Sequence, residues 1–295
     1  MCGNIIIANE RARWGSSRSR IGQAETFFRK HKFPCSFFMT DHPGHARELA
    51  AEVTAQKAER IIVLGGDGTV NEVVNGLLAS GCRHIPRIGI IPSGCSNDFS
   101  KSLGIPQQLQ EACRTVMNGK VKYVDVGQAG RHYFCMASAV GLFADISAES
   151  VRMRRLSGSL RYIAAALGVI RKMTAGWEMD IKTDGKAFRG TYGVLLVSNT
   201  PRFGGLTLTP GAKPDDGVLD CLLIRMPKKL EALSLIPLVL RKGLIRHKKV
   251  TAFQAKTLSV SLDSGALLSN DGEVYPNRFE NIDYRIFPGK LQIIC

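Results

Sequence analysis

Residues 61–78 read Ile61-Ile62-Val63-Leu64-Gly65-Gly66-Asp67-Gly68-Thr69-Val70-Asn71-Glu72-Val73-Val74-Asn75-Gly76-Leu77-Leu78. The first four residues have the length and apolarity of a buried strand, and the apolar spacing after Thr69 is helical. Three glycines between them open backbone conformations closed to other residues and leave no side chain in a ligand's way. The turn runs into a helix whose first amides lack internal partners and favour an anion. Phosphate binding is the functional reading, and a tight structural turn is the plain one. Asp67 is the odd residue, since a carboxylate beside phosphate repels it. It becomes useful where a metal ion or an incoming hydroxyl stands between them.

Outward from this turn, the first 125 residues alternate strand and helix patterns. Strands are expected at Asn4–Ala8, Pro34–Met39, Arg60–Leu64, Arg87–Ile91 and Val121–Val126, with helices near Arg20–Lys30, Gly44–Gln56 and Gln107–Met117 between them. Such alternation predicts a parallel sheet with helices on both faces, its ligands beyond the carboxyl ends of the strands. A second loop, Pro92-Ser93-Gly94-Cys95-Ser96-Asn97-Asp98-Phe99, follows the next strand at that same edge. Asn97 and Asp98 read equally well as helix caps or as ligand contacts.

Beyond Asp125 short strand-like runs dominate, at Tyr133–Ala137, Trp177–Lys182, Gly193–Ser198, Val218–Ile224, Thr257–Leu262, Ala266–Leu268 and Ile282–Phe287. Turn pairs such as Asp184-Gly185, Asp216-Gly217 and Asp271-Gly272 separate them, which predicts an antiparallel β-sandwich with helical insertions. Two domains follow: residues 1–125, an α/β unit, and 126–287, a β-rich unit. Pro288-Gly289 and the last apolar run, Leu291–Ile294, are expected to return the tail 288–295 to the first domain.

The 295 residues carry a net charge of +15 and eight cysteines with no Cys-x-x-Cys pair. The cysteines read as reduced thiols filling the core. No apolar run reaches the ~18 residues of a membrane span, and the first residues lack a signal-peptide pattern, so a cytoplasmic protein is expected. The excess charge points to an anionic partner. From Val151 to Met173 the chain carries Arg152, Arg154, Arg155, Arg161, Arg171 and Lys172 among leucines and isoleucines. Leu230–Lys249 repeats the texture with Arg241, Lys242, Arg246, Lys248 and Lys249. These stretches fit peripheral contact with an anionic bilayer at the inner membrane face, or equally core helices with a solvated basic face. No nucleic-acid signature is present.

Taken in order, Gly65–Asn71 with Glu72 and Asn75-Gly76, then Pro92–Phe99 and Leu103-Gly104-Ile105-Pro106, resemble the catalytic domain of diacylglycerol and sphingosine kinases, above all the compact bacterial lipid kinases. The likeness continues through Val197-Ser198-Asn199, Phe203-Gly204-Gly205, Pro210–Asp220 and Asn270-Asp271-Gly272-Glu273. The resemblance implies ATP in a cleft between the two domains. Gly65, Gly66, Asp67, Gly68, Thr69 and Asn71 would hold its phosphates, with Asn9, Thr40, Ser93, Gly94 and Cys95 completing the pocket. It implies Mg2+ as cofactor, and a general base at Glu273 or Asp67 with Asp271 beside it. A metal site is implied at the Asp216 carboxylate and the Lys213 and Val218 carbonyls, where the plain alternative is a turn. The acceptor would be a diacylglycerol-like lipid.

Two positions depart from the family's pattern. The expected Asn-Pro and small-residue loop is replaced here by Asn9-Glu10-Arg11-Ala12-Arg13-Trp14-Gly15-Ser16, and Cys95 stands for a threonine, a weaker donor. Three functions therefore compete: an ATP-dependent lipid kinase, a soluble-metabolite kinase sharing the phosphate turn, and a silent lipid- or nucleotide-binding module. An exposed sandwich edge is a candidate for pairing two subunits into a homodimer.

Overall fold

The computed structural model describes residues 3–10, 17–81, 85–153, 156, 158–241 and 244–295. The chain divides into two units, Met1–Val124 with Gly289–Cys295, and Asp125–Pro288. Gly15-Ser16 of the first loop, and Arg154, Arg155 and Lys242 of the basic stretches, lie outside the described residues.

The first unit runs β1 (Asn4–Asn9), α1 (Ser17–Lys30), β2 (Ser36–Thr40), α2 (His45–Ala55), β3 (Arg60–Gly65), α3 (Asp67–Ala79), β4 (Arg87–Pro92), α4 (Asp98–Ser102) and α5 (Leu109–Asn118). The strand order is β4-β3-β1-β2, every pair parallel. Ile5–Ala8 and Ile61–Leu64 are buried without alternation, because helices cover both faces of a parallel sheet. On one face Ile21, Ala24 and Phe28 of α1 and Leu109, Ala112 and Val116 of α5 pack over Ile6, Ala8, Ile62 and Leu64. Burial among them pushes the Cys113 thiol up to about 12, which keeps it a neutral core filler. Elsewhere α2 and α3 approach at Gly76, where a methyl group would lie 2.2 Å from the Arg47 carbonyl. That glycine serves helix packing.

Strand β5 (Val121–Ala129) leads into the second unit, which continues β6 (His132–Phe134), β7 (Ala137–Gly141), α6 (Leu142–Arg152), α7 (Gly158–Lys172), β8 (Trp177–Thr183) and β9 (Ala187–Ser198). There follow the two-residue strands β10 (Arg202–Phe203) and β11 (Leu206–Thr207), then β12 (Leu219–Arg225), α8 (Lys229–Leu240), β13 (Val250–Ala255), β14 (Thr257–Asn270) and β15 (Glu273–Ile294). The antiparallel order is β13-β12-β9-β7-β14-β15, and β8 pairs with both β9 and β14. Bridged twice in this way, the strands curl around one core that holds Leu195, Val197, Cys221, Leu223, Val260 and Tyr284. Their neighbours Val194, Leu196, Leu222 and Ile224 point the other way, into a second cluster with residues of α6, α7 and α8. This period-2 alternation puts a helical layer on one side of the β-rich unit.

Three strands outrun their expected limits. β9 begins at Ala187, β14 continues through Gly265, and β15 runs unbroken through Pro288-Gly289. Exposed alternating residues hid the added lengths. The pairing of β15 with β14 ends near Arg285, and β15 also pairs with β5. Past it, Ile293 pairs with Ile88 of β4 inside the first unit.

Candidate active site

In the first unit, the order β4-β3-β1-β2 lines up the carboxyl ends of four strands. Thr40 pairs with Asn9, and Gly65 pairs with Pro92, while β1 lies beside β3. The chain reverses direction across the sheet between β1 and β3, the position at which open α/β sheets bind ligands. Thr40, Asn9, the Gly65–Thr69 turn and the Ser93–Asn97 loop therefore share one edge.

The two glycine loops touch. A methyl on Gly94 would come within 2.6 Å of the Gly66 Cα, and one on Gly65 would meet the Thr69 side chain at 2.6 Å. These glycines are required by close approach. The Ser93 amide donates to the Gly65 carbonyl at 2.9 Å, and the Asn9 amide side chain donates to Thr69 Oγ1 at 3.1 Å. Gly66 precedes α3 without a side-chain cap, and an uncapped helix start of this kind favours an anion. Ser93 Oγ is buried and has no hydrogen-bond partner among the described residues. Asn71 lies buried in α3, its carbonyl bonded by Asn75 at 3.0 Å, and Cys95 is exposed in the second loop.

Asp67 has a definite partner set. Its carboxylate accepts from the Asp98 amide at 3.0 Å and the Phe99 amide at 3.1 Å, capping α4 from the opposite loop. Asn97, a candidate cap by sequence, instead turns back: its side chain exchanges bonds with the Gly94 amide and carbonyl at 2.9 and 3.1 Å. With φ at 50°, Asn97 holds the glycine loop closed, and Asp67 does the capping.

In the second unit a buried polar belt gathers at the ends of β7, β9 and β14. Asp271 is 7% exposed, and its carboxylate accepts from the amides of Cys135, Met136 and Ala137 at 2.7, 2.8 and 3.0 Å. Asn199 donates to the carbonyls of Asp125 and Cys135, each at 2.9 Å. Asn270 is fully buried, yet neither atom of its amide has a hydrogen-bond partner among the described residues, nor does Ser269 Oγ or Asn199 Oδ1. Asp271 and Gly272, both at positive φ, form the two-residue turn that presents Glu273 opposite Asn270. Glu273 itself is exposed. Asn199 and Asn270 were visible in the sequence only as motif members; their burial is the signal that sequence could not supply.

At Lys213–Asp220 the Gly217 amide is held by the Asp125 carboxylate at 2.7 Å, and Asp216 Oδ1 accepts from the Val218 amide at 3.3 Å. Asp220 Oδ2 is buried without a hydrogen-bond partner among the described residues. Burial raises the Asp220 pKa, and the charge of Asp216 adds to it. Two mutually repelling carboxylates, one with an orphaned oxygen, fit a hard cation bound through oxygen ligands.

A third feature of the second unit is an apolar cavity between the sheet and α6, α7 and α8. The described residues that line it are apolar apart from the hydroxyl of Tyr162.

A parallel sheet with glycine loops at its edge, followed by a curled antiparallel unit, is the architecture of a class of kinases. Residues 4–129 match the family model "Diacylglycerol kinase catalytic domain", and residues 137–295 match "YegS C-terminal NAD kinase beta sandwich-like domain". The chain belongs to the diacylglycerol kinase family of bacterial lipid kinases. It is 29% identical to the diacylglycerol kinase of Bacillus subtilis (strain 168), over 90% of this chain and 88% of that one. It is 30% identical to that of Staphylococcus carnosus (strain TM300), over 87% and 85%. A solved structure of a diacylglycerol kinase from Bacillus anthracis str. Sterne superposes with a TM-score of 0.76 at 23% identity, covering 99% of this chain and 96% of that one, a likeness of fold.

Proposed function

We propose that this protein transfers the terminal phosphoryl group of ATP to the free hydroxyl of a diacylglycerol-like lipid. The observation that carries this is the presence, in one chain, of touching glycine loops at a parallel-sheet edge and an almost wholly apolar cavity. Residues 1–125 with the C-terminal tail would serve the nucleotide, and 126–287 the lipid. Gly65–Thr69, Asn71 and the Ser93–Cys95 loop bind phosphate through amides and small hydroxyls, with Asn9 and Thr40 alongside. Phosphoryl transfer asks the protein mainly for positioning and charge stabilisation. Glu273 takes the acceptor's proton as the lipid oxygen bonds to phosphorus and the bond to ADP's leaving oxygen breaks. Asp67 and Asp271, whose carboxylates are committed to backbone amides, act by holding the loops. Mg2+ bound with the nucleotide supplies neutralisation of phosphate charge, and the donor set of Asp216 with the Lys213 and Val218 carbonyls suits the same hard cation.

The test is Glu273→Gln. The side chain is exposed, so the melting temperature is expected to stay put, while kcat for lipid phosphorylation falls about 100- to 10,000-fold, the span of general-base effects. Wild-type turnover in this variant would move the base elsewhere.

The lipid is expected to arrive from a bilayer. Helices α7 and α8, which roof the cavity, also expose Leu160, Leu167, Leu230, Leu233 and Leu240. The same stretches of chain carry the exposed cations Arg152, Arg171, Lys172, Lys229, Arg241 and Arg246. Exposed apolar side chains and cations on the same segments suit an anionic membrane surface. No helix among the described residues is long and apolar enough to cross one. Sedimentation with vesicles rich in anionic lipid is expected at low salt, weakened by high salt and by Leu230→Glu. No sedimentation with anionic vesicles at low salt would remove the membrane reading.

A further inference from the structure

We propose that Tyr162 is a specificity-determining residue that meets the acceptor lipid where its chains end and its reactive hydroxyl begins. This rests on the lipid-kinase reading and adds to it which lipid alcohols fit. Tyr162 lies on α7 and lines the apolar cavity, where among the described lining residues it is the one with a polar side-chain atom. Its ring stands edge-on to Phe203 of the same wall, with centroids 6.0 Å apart.

The side chain also reaches two glycines. A methyl on Gly204 would lie 2.9 Å from three of its ring carbons, and one on Gly272 would lie 3.4 Å from its hydroxyl. Both glycines sit at positive φ, 64° and 91°, so each is glycine for conformation as well as space. Gly272 is the residue between Asp271 and Glu273. One side chain therefore belongs at once to the wall that would hold hydrocarbon and to the turn that carries Glu273.

Tyrosine suits such a boundary, with an apolar body and a polar tip. Consecutive Cα atoms are about 3.8 Å apart, so the hydroxyl of Tyr162, beside Gly272, lies within a little over about two residue spacings of the Glu273 Cα. A lipid with its chains in the cavity has little room between the first chain atoms and the reacting oxygen. The acceptor that fits has its hydroxyl on the same short backbone that bears the chains, as in a diacylglycerol. A lipid whose hydroxyl sits out on a sugar or another extended headgroup does not fit.

The experiment measures ATP-dependent phosphorylation by the full chain of dioctanoylglycerol and of a dioctanoyl glycosylglycerol in mixed micelles. Wild type is compared with Tyr162→Phe and Tyr162→Leu. Tyr162→Phe keeps the ring and the wall, so it is expected to lower kcat/KM for dioctanoylglycerol about tenfold, the worth of one hydrogen bond, with KM for ATP unchanged. Tyr162→Leu is expected also to shrink the preference for dioctanoylglycerol over the glycosylglycerol at least tenfold. Unchanged kcat/KM and unchanged preference in both variants, or a loss confined to the melting temperature, would overturn the inference while leaving the lipid-kinase reading intact. No transfer to either lipid by wild type would overturn that reading and this inference with it.

Discussion

Replacing Asp67 with alanine is expected to lower lipid phosphorylation by at least 100- to 1,000-fold, the order of effect seen when a reacting group is misplaced or a stabilising donor is lost. Its carboxylate accepts from two amides of the opposite loop, at Asp98 and Phe99. Alanine frees the start of α4, and with it the register of Gly94 against Gly66, where the loops meet closely enough to exclude a methyl group. Hydrogen bonds to a charged group contribute about 1.5–3 kcal/mol, and this carboxyl is only partly buried. The loss of stability should therefore amount to a few degrees of Tm in a chain of this size. Asp67→Asn, which keeps one acceptor oxygen, should fall between. Radiolabel transfer from ATP to lipid, with a melting curve on the same preparation, checks both parts. Full transfer in Asp67→Ala would mean that the loops hold phosphate without this brace.

Asp271→Ala should act on the fold instead. Three buried amides, at Cys135, Met136 and Ala137, would lose their acceptor. Each orphaned buried donor costs about 1–3 kcal/mol. Alanine must also adopt the left-handed backbone that Asp271 holds at φ 51°, a further cost of about 1–2 kcal/mol. A destabilisation on the order of 4 kcal/mol or more is expected, with Tm lowered by more than about 10 °C. Asparagine tolerates that backbone and keeps an oxygen, so Asp271→Asn should recover part of the loss. Urea unfolding of both variants reads this directly. A variant that melts like wild type but transfers no phosphate would assign the carboxylate to chemistry.

The contrast among Asp67, Asp271 and Glu273 marks the limit of what motif reading reveals. All three stand out in the sequence as carboxylates beside glycine. Only coordinates separate two that brace backbone amides from one that is exposed. Asn97 repeats the lesson, since a cap and a loop pin look alike in one dimension; the αL backbone and the bonds to Gly94 distinguish them. Tyr162 gave no signal among the apolar residues of α7. Its distance in sequence from Gly204 and Gly272 hides a contact that exists only after the strands have curled.

The strand-turn-helix at residues 61–78, the alternation around it and the later turn pairs were enough to establish an α/β unit followed by a β-rich one. Local periodicity records which faces are buried, and glycine records where the backbone needs room. The tertiary structure alone decided which polar groups are left buried without partners, which carboxylates are already committed, and that α6, α7 and α8 enclose an apolar cavity. Those properties depend on which remote residues meet, and no local pattern in the chain encodes the meeting.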